Sequence, residues 1–159
     1  MLPNRRIGES MSTRLRKART QDAARAAEVV RRAYEGYVPR MGTLPGPMRA
    51  DYQQLVARGV VYVLEDQTEV VGVLVLVPHS DHLLLDTVAV DPDFQGRGHG
   101  RRLISLAEAE ARSLSVPEVR LYTNVVMVEN LGLYAHLGFE ETHRAEQDGH
   151  KRVFMRKRL

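Results

Sequence analysis

The chain has 159 residues, a length that suits one domain with a substantial core, and its 43% hydrophobic and 27% charged residues are typical of a folded globular protein. No stretch approaches the roughly 20 apolar residues of a membrane span, and the absence of cysteine excludes disulfides, thiolate metal ligands and a cysteine nucleophile. The net charge of +3 is dispersed rather than interleaved with aromatic residues, which argues against a nucleic-acid-binding surface.

The first ten residues, Met1 to Ser10, are polar and lack the apolar segment of a secretion signal. We expect Met1 to Ser12 to be a loosely ordered extension ahead of a single domain over residues 13–159. Met11 is a second candidate for the natural start. A cytoplasmic enzyme with no membrane or nucleic-acid partner is the simplest class.

The first part of the chain predicts a strand and two helices. A strand over Leu15–Ala18 precedes a helix over Gln21–Tyr34, which carries apolar residues at helical spacing. A turn-rich loop follows at Gly42–Pro47. The second helix runs from about Met48 to Arg58 and ends at a glycine.

Three predicted strands come next. Val60–Glu65 and Val70–Val77 flank the turn of a hairpin, and Leu83–Val90 is the third strand. This strand ends at Asp91-Pro92, because proline cannot donate to a sheet ladder and pushes the preceding residue toward extended geometry.

A glycine-rich turn, Gln95–Gly100, separates that strand from a helix over Gly98 to about Ser113. The predicted buried face of the helix consists of Leu103, Ala107, Ala111 and Leu114. Free N–H groups at a helix start, together with the helix dipole, bind anions such as phosphate. Glycines in the turn let the ligand approach the backbone closely.

Spacing separates three kinds of phosphate-binding loop. A P-loop requires a Lys-Ser or Lys-Thr pair after its last glycine, and Arg101-Arg102 stands there. A dinucleotide fingerprint requires G-x-G-x-x-G, whereas the glycines here are at 96, 98 and 100. The pattern that remains is Q-x-x-G-x-G.

The last part of the chain predicts a strand over Glu118–Tyr122, a short helix that holds Tyr134, and strands over Phe139–Thr142 and Arg152–Arg158. The short helix lies in an N-x-x-x-Y-x-x-x-G-F element that runs from Asn130. Considered alone, Tyr134 is better explained as a core aromatic residue with a solvated hydroxyl than as a catalytic group.

These two motifs, in this order, resemble those of the GCN5-related N-acetyltransferases, the GNAT family. The resemblance covers residues 11–159 and implies an α/β single-domain fold. Its mixed, mostly antiparallel sheet of six to seven strands has a splayed central pair and about four flanking helices. It also implies acetyl-coenzyme A as the cofactor, and direct transfer of the acetyl group to a primary amine in a ternary complex.

The resemblance places coenzyme contacts on the predicted strand Leu83–Val90, on the glycine-rich turn that follows it and on the asparagine of the second motif. These residues are Val88, Ala89, Val90, Gln95, Gly96, Arg97, Gly98, His99, Gly100, Arg101 and Asn130. His99 is explained equally well by a phosphate contact or by solvent exposure. For Arg97 and Arg101, the alternative to a phosphate contact is the polar face of a helix.

For catalysis, the resemblance implies that Tyr134 protonates the departing thiolate. Some family members carry a glutamate base where this chain has Leu84. Asp86 is therefore the candidate base, acting directly or through water, or else it attracts a cationic amine. The alternative is a purely structural role, in which Asp86 is a strand-edge aspartate hydrogen-bonded to a turn. Glu129 and His82 are lesser candidates for the base.

The predicted acceptor pocket comprises Tyr34, Tyr37, Met48 and Tyr52, with Met41 and Asp51 nearby. Its partner is a small-molecule or peptide amine, and the family also allows a homodimer. A coenzyme-binding sensor without turnover and a basic nucleic-acid-binding module remain alternative functions. Polar residues at His79–His82 predict a turn, and we expect no metal there or elsewhere.

Overall fold

The computed structural model describes residues 12–159, and its central feature is a sheet of seven strands. The strands are β1 (Thr13–Lys17), β2 (Val61–Asp66), β3 (Glu69–Pro78), β4 (Leu83–Val90), β5 (Glu118–Asn124), β6 (Glu140–Gln147) and β7 (His150–Arg158). Apart from Ser12, the amino-terminal extension discussed above lies outside the described residues, as do both candidate start methionines.

The sheet has the strand order β1-β2-β3-β4-β5-β7-β6, in which every neighbouring pair is antiparallel except β4 and β5. That parallel pair is joined only at Leu83–Val119 and Leu84–Arg120. Beyond these two pairs the strands diverge, so most of β4 has a neighbouring strand on one side only. The predicted α/β fold, with a mostly antiparallel sheet and a splayed central pair, is confirmed.

Six α-helices lie within residues 12–159, where the sequence predicted about four. They are α1 (Ala23–Tyr34), α2 (Val38–Met41), α3 (Gly46–Arg49), α4 (Tyr52–Ala57), α5 (His99–Ser113) and α6 (Val128–His136). Short 3-10 turns occur at Thr20–Asp22, Glu35–Tyr37 and Pro92–Phe94. None of these helices is long and apolar enough to cross a membrane.

The single helix predicted over Met48–Arg58 is wrong. The chain is extended at Ala50 and Asp51, and the Asp51 carboxylate accepts a hydrogen bond from the Gln54 N–H at 3.1 Å as the N-cap of α4. An aspartate that bonds the backbone ahead of it competes with the helical ladder. The segment is therefore divided into α3 and α4.

The two faces of the sheet carry separate hydrophobic cores. One core forms against α5 and α6, and the other against α1 and α4. From α5, the predicted residues Leu103, Ala107 and Ala111 are buried, together with Ile104. The prediction for Leu114 is wrong, because this residue is 46% exposed at the carboxyl end of α5.

A β-bulge at Asp86 reverses the side-chain alternation of β4. Leu85 pairs with Leu76 and Thr87 pairs with Val75, so Asp86 has no partner on β3. The inserted residue changes which side chains of β4 face α5. Before the bulge these are the odd-numbered residues Leu83 and Leu85, and after it the even-numbered residues Val88 and Val90. The bulge thereby divides β4 into two halves.

Asp91, at the end of β4, fixes α1 to the sheet. Its carboxylate is 1% exposed and accepts from Arg25 at 2.8 Å and Arg32 at 2.6 Å, both on α1. A third donor is the Asp93 N–H at 2.9 Å. Burial opposes ionisation, but these donors hold the pKa of Asp91 below its ordinary value.

Replacing Asp91 with asparagine should lower the free energy of unfolding by about 3 kcal/mol at neutral pH, because two guanidinium groups lose a buried anionic partner. The depressed pKa means that this stabilisation is present above the unfolded-state pKa and is lost as the pH falls through the folded-state pKa. The difference between Asp91→Asn and wild type should therefore shrink in acid. Urea denaturation at several pH values measures it.

Asp93→Asn is the matched control. Asp93 also approaches Arg32, at 3.3 Å, but its side chain is 70% exposed. Its loss should cost no more than about 0.5 kcal/mol. Equal losses in the two variants would contradict an anchoring role for Asp91.

Candidate functional site

The gap between β4 and β5 leaves one backbone edge of β4 open. The Val88 carbonyl accepts from the Tyr34 hydroxyl at 3.1 Å, and the Val90 carbonyl accepts from the Gln95 side-chain amide, also at 3.1 Å. Side chains rather than a neighbouring strand are thus the partners of both carbonyls. In an extended strand the N–H and C=O of one residue point to the same side, so this edge can pair with an amide-bearing ligand.

The glycine turn lies at the end of this edge, and α5 begins within it. Gly96 and Gly98 have φ values of +80° and +81°, which favour glycine, and a Cβ added at either would meet no described atom within 4 Å. Gly98 is the N-cap of α5, so the N–H groups of the next three residues lack intrahelical acceptors. The described first turn of α5 carries no acidic side chain, and its positive dipole end suits an anion.

A cavity of about 570 Å³ lies along the edge and the turn. Almost all residues that the resemblance assigns to the coenzyme line it, namely Val88, Ala89, Val90, Gln95, Gly96, Gly98, His99, Gly100, Arg101 and Asn130. Arg97 is the exception. Its guanidinium lies 4.9 Å from the Phe94 ring centre and 3.5 Å from the Asp66 carboxylate.

His99 is 5% exposed, so the explanation by solvent exposure is wrong. Neither of its ring nitrogens has a hydrogen-bond partner among the described residues, and Nε2 lies 3.5 Å from an Asp66 oxygen. The imidazole is therefore packed within the protein beside a carboxylate. The group that His99 offers to an anion in the turn is its backbone N–H.

Tyr134 lies where the large cavity meets a second, smaller one. Tyr34, Val88 and Asn130 also line both cavities. The Tyr134 ring is 5% exposed and packs edge-on against Phe139, with ring centres 5.8 Å apart. Burial raises the pKa of the Tyr134 hydroxyl, which keeps the group protonated at neutral pH.

The smaller cavity has a volume of about 200 Å³ and contains Asp86. Asp86 is half-buried; burial raises the pKa of its carboxyl group, and the nearby Arg152 charge opposes part of this rise. The direction of this shift favours uptake of a proton by the Asp86 carboxylate.

Several residues of the smaller cavity were not predicted to line a site. They lie on β5, on β7 and just before α6, and are Tyr122, Thr123, Asn124, Met127, His150 and Arg152. From the sequence, Arg152 was expected only at the start of the last strand. No local pattern marks these residues, because the long-range pairing of β5 with β7 brings them together.

The predicted acceptor residues are divided by the structure. Tyr34 lines both cavities and Tyr37 lines the larger one. Met48 and Tyr52 are not among the described residues that line either cavity. Tyr52 is buried and its hydroxyl donates to the Pro47 carbonyl at 2.8 Å, so it supports the cavity wall from behind.

The two lesser base candidates have other partners. Glu129 accepts from Arg40 at 2.8 Å and 3.0 Å, and its own backbone N–H and this arginine lower the pKa of its carboxyl group. His82 lies 2.7 Å from the Asp81 carboxylate and stacks on His79. Within residues 12–159, no three potential metal-binding side chains come together.

The family model for the acetyltransferase (GNAT) domain matches residues 57–141, more than half of the chain. The chain belongs to the GNAT acetyltransferase family. The match includes β4, the glycine turn and α6, which form most of the large cavity. The activity class of this GNAT protein is therefore acyl transfer.

Individual relatives agree with the family match. The chain is 27% identical over 143 residues to the peptidyl-lysine N-acetyltransferase YjaB of Salmonella typhimurium, covering 87% of this chain and 90% of that one. It is 43% identical over 63 residues to mouse N-alpha-acetyltransferase 80, but that match spans 40% of this chain and only 18% of the mouse protein. The PaiA N-acetyltransferase of Thermoplasma acidophilum, solved with coenzyme A, has the same fold, with a TM-score of 0.78 and 19% identity over 94% of this chain and 100% of that one.

Two glycines of the GNAT turn should respond differently to alanine. Gly98→Ala should lower the free energy of unfolding by about 1–2 kcal/mol, because a Cβ is strained at positive φ. Gly100 has no positive φ, and its added Cβ would lie 3.9 Å from Val90, an ordinary contact. Gly100→Ala should be neutral or stabilise by up to about 1 kcal/mol. Urea denaturation measures both, and a similar loss in both would contradict the assigned backbone geometry.

Proposed function

We propose that this GNAT protein, through a domain over residues 13–159, transfers an acetyl group from acetyl-coenzyme A directly to a primary amine in a ternary complex. The observation that carries the proposal is the meeting of two cavities at Tyr134, in the gap between β4 and β5. The larger cavity suits the coenzyme, and the smaller suits the acceptor. Two cavities that share Tyr134 in their walls let the two substrates approach each other without a covalent enzyme intermediate.

The larger cavity fits coenzyme A by its donor set. The turn after β4 offers backbone N–H groups and the positive end of α5 to a pyrophosphate, and Gly98 leaves room for close approach. The open edge at Val88 and Val90 suits the two amides of a pantetheine arm. Coenzyme A or acetyl-coenzyme A is bound in the solved relatives from Thermoplasma acidophilum and Elizabethkingia anophelis.

Bound acetyl-coenzyme A supplies an acetyl thioester, whose C–S bond breaks as the C–N bond to the amine forms. Tyr134 holds a proton on its hydroxyl at the junction of the cavities and gives it to the departing sulfur. The acceptor arrives as an ammonium ion and must lose a proton before attack. The nitrogen loses a second proton as the amide forms, and uptake of one proton restores the Tyr134 hydroxyl. The net products are an N-acetyl amide, the coenzyme thiol and one proton.

Asp86 is the group we assign to the acceptor amine. It lines the smaller cavity, carries a raised pKa and is not taken up in a salt bridge within residues 12–159. A carboxylate in this position attracts an ammonium ion and accepts its proton, directly or through water. The curated relatives are named for N-acetylation of lysine side chains and of α-amines, which share a primary amine with the acceptor proposed here.

The first experiment compares wild type with Tyr134→Phe, measuring thiol release from acetyl-coenzyme A over a panel of amines, amino acids and dipeptides. Amine-dependent release should fall about 10²-fold or more in the variant, because the sulfur loses its proton donor. The dissociation constant of coenzyme A, measured by calorimetry, should change less than about threefold.

Tyr62→Phe is the control, since Tyr62 is a half-buried tyrosine on β2 that lines neither cavity. Its release rate should match that of wild type. If coenzyme A binds but no acceptor stimulates release, the transferase proposal fails and a coenzyme-binding sensor is favoured. Equal rates in wild type and Tyr134→Phe would remove the acid role alone.

Asp86→Asn should abolish the acidic limb of the pH profile. In wild type, kcat/KM should rise with pH as Asp86 loses its proton, at a pKa above the ordinary aspartate value of about 3.9. Asparagine cannot titrate, so the variant should keep only the rise due to the acceptor amine and lose roughly 10²-fold in rate. Identical pH profiles for both proteins would exclude Asp86 as the base.

A further inference from the structure

Two charges of opposite sign line the smaller cavity, and neither has a salt-bridge partner among residues 12–159. Asp86 of β4 and Arg152 of β7 both line it, and both are half-buried. Within residues 12–159, neither forms a salt bridge with any side chain, including the other. Partly buried charges are normally paired because removing them from water is costly. Two unpaired, opposite charges in one small cavity therefore suggest a ligand that carries both complements.

Arg152 differs from its neighbouring arginines in this respect. Arg156, on the same strand, donates to Glu140 at 3.0 Å, and Arg120 donates to Glu118 at 2.9 Å. Arg152 is instead held by neutral groups: it donates to the Gln147 side-chain oxygen at 2.9 Å, and its guanidinium carbon lies 4.5 Å from the Tyr122 ring centre. Its orientation is fixed, while no carboxylate among residues 12–159 forms a salt bridge with it.

We propose that the acceptor is a small amino acid, or a close analogue with both an amine and a carboxylate, and that Arg152 determines this specificity by binding the carboxylate. The inference rests on the proposed function, since the amine of the same ligand is the one acetylated beside Asp86. Guanidinium groups bind carboxylates through two parallel hydrogen bonds, which orients the amine as well as selecting the ligand.

Volume and charge both limit the ligand. Pockets for drug-sized molecules occupy about 300–1,000 Å³, whereas this cavity is about 200 Å³. Aromatic and thioether side chains, among them Tyr34 and Met127, form much of the remaining wall. Polyamines and aminoglycosides are disfavoured, because a second cationic group would face the Arg152 guanidinium.

The test uses acceptor pairs that differ only in the carboxylate, such as leucine and leucinamide, or phenylalanine and phenylalaninamide. With wild type, kcat/KM for thiol release should be at least about 10-fold higher for the acid than for the amide. Arg152→Gln should lower kcat/KM for the acids about 10-fold or more and leave the amides within about threefold. Arg152→Glu should reverse the preference, toward diamines of similar length.

Arg156→Gln is the matched control, because Arg156 lies on the same strand but does not line the smaller cavity. It should keep the wild-type preference. An unchanged dissociation constant for coenzyme A in every variant shows that each protein is folded. Equal use of acids and amides by wild type, or an equal loss for both in Arg152→Gln, would overturn the proposal.

A measurement of amino acid binding tests the role of Arg152 independently of the proposed acetyl transfer. Calorimetry with the coenzyme A complex should detect an amino acid that binds wild type at least about 10-fold more tightly than Arg152→Gln, whether or not turnover occurs. Binding without thiol release would support Arg152 and refute the transferase. Thiol release with basic peptides or polyamines, but with no amino acid, would support the transferase and refute the role of Arg152.

Discussion

The site depends on the early end of one strand pairing. β4 and β5 are parallel neighbours for only two residue pairs, and their divergence creates the gap that both cavities share. Without a second neighbouring strand, the Val88 and Val90 carbonyls are bonded by side chains of Tyr34 and Gln95. A regular sheet would consume this edge in ladder hydrogen bonds and leave no space for a ligand.

Asp86 and Asp91, five residues apart, show how hydrogen-bond and ion-pair partners determine the pKa of a carboxyl group. Asp91 is almost fully buried, yet two arginines and a backbone N–H hold its pKa below the ordinary value. For Asp86, five residues earlier and less buried, burial raises the pKa, and the Arg152 charge opposes only part of this rise. The first is a structural anchor for α1, and the second retains a proton affinity that a reaction can use.

Local sequence patterns located the residues of the larger cavity better than those of the smaller one. The glycine turn and the start of α5 depend on neighbouring residues, so spacing alone located them. Arg152 reaches the smaller cavity only because β7 lies between β5 and β6, a long-range pairing that no local signal encodes. The break between α3 and α4 was missed because a capping aspartate, Asp51, overrode a helical pattern.

The bulge at Asp86 has an evolutionary consequence. It separates β4 into a first half that lines the smaller cavity and a second half that lines the larger one, and the side-chain alternation is set independently in each half. Substitutions in the first half and on β7 can reshape the acceptor pocket while the second half keeps its register against β3 and α5. Under the proposed function, one scaffold can therefore acquire new acceptors through substitutions at a few long-range positions, while the half that lines the larger cavity is unchanged.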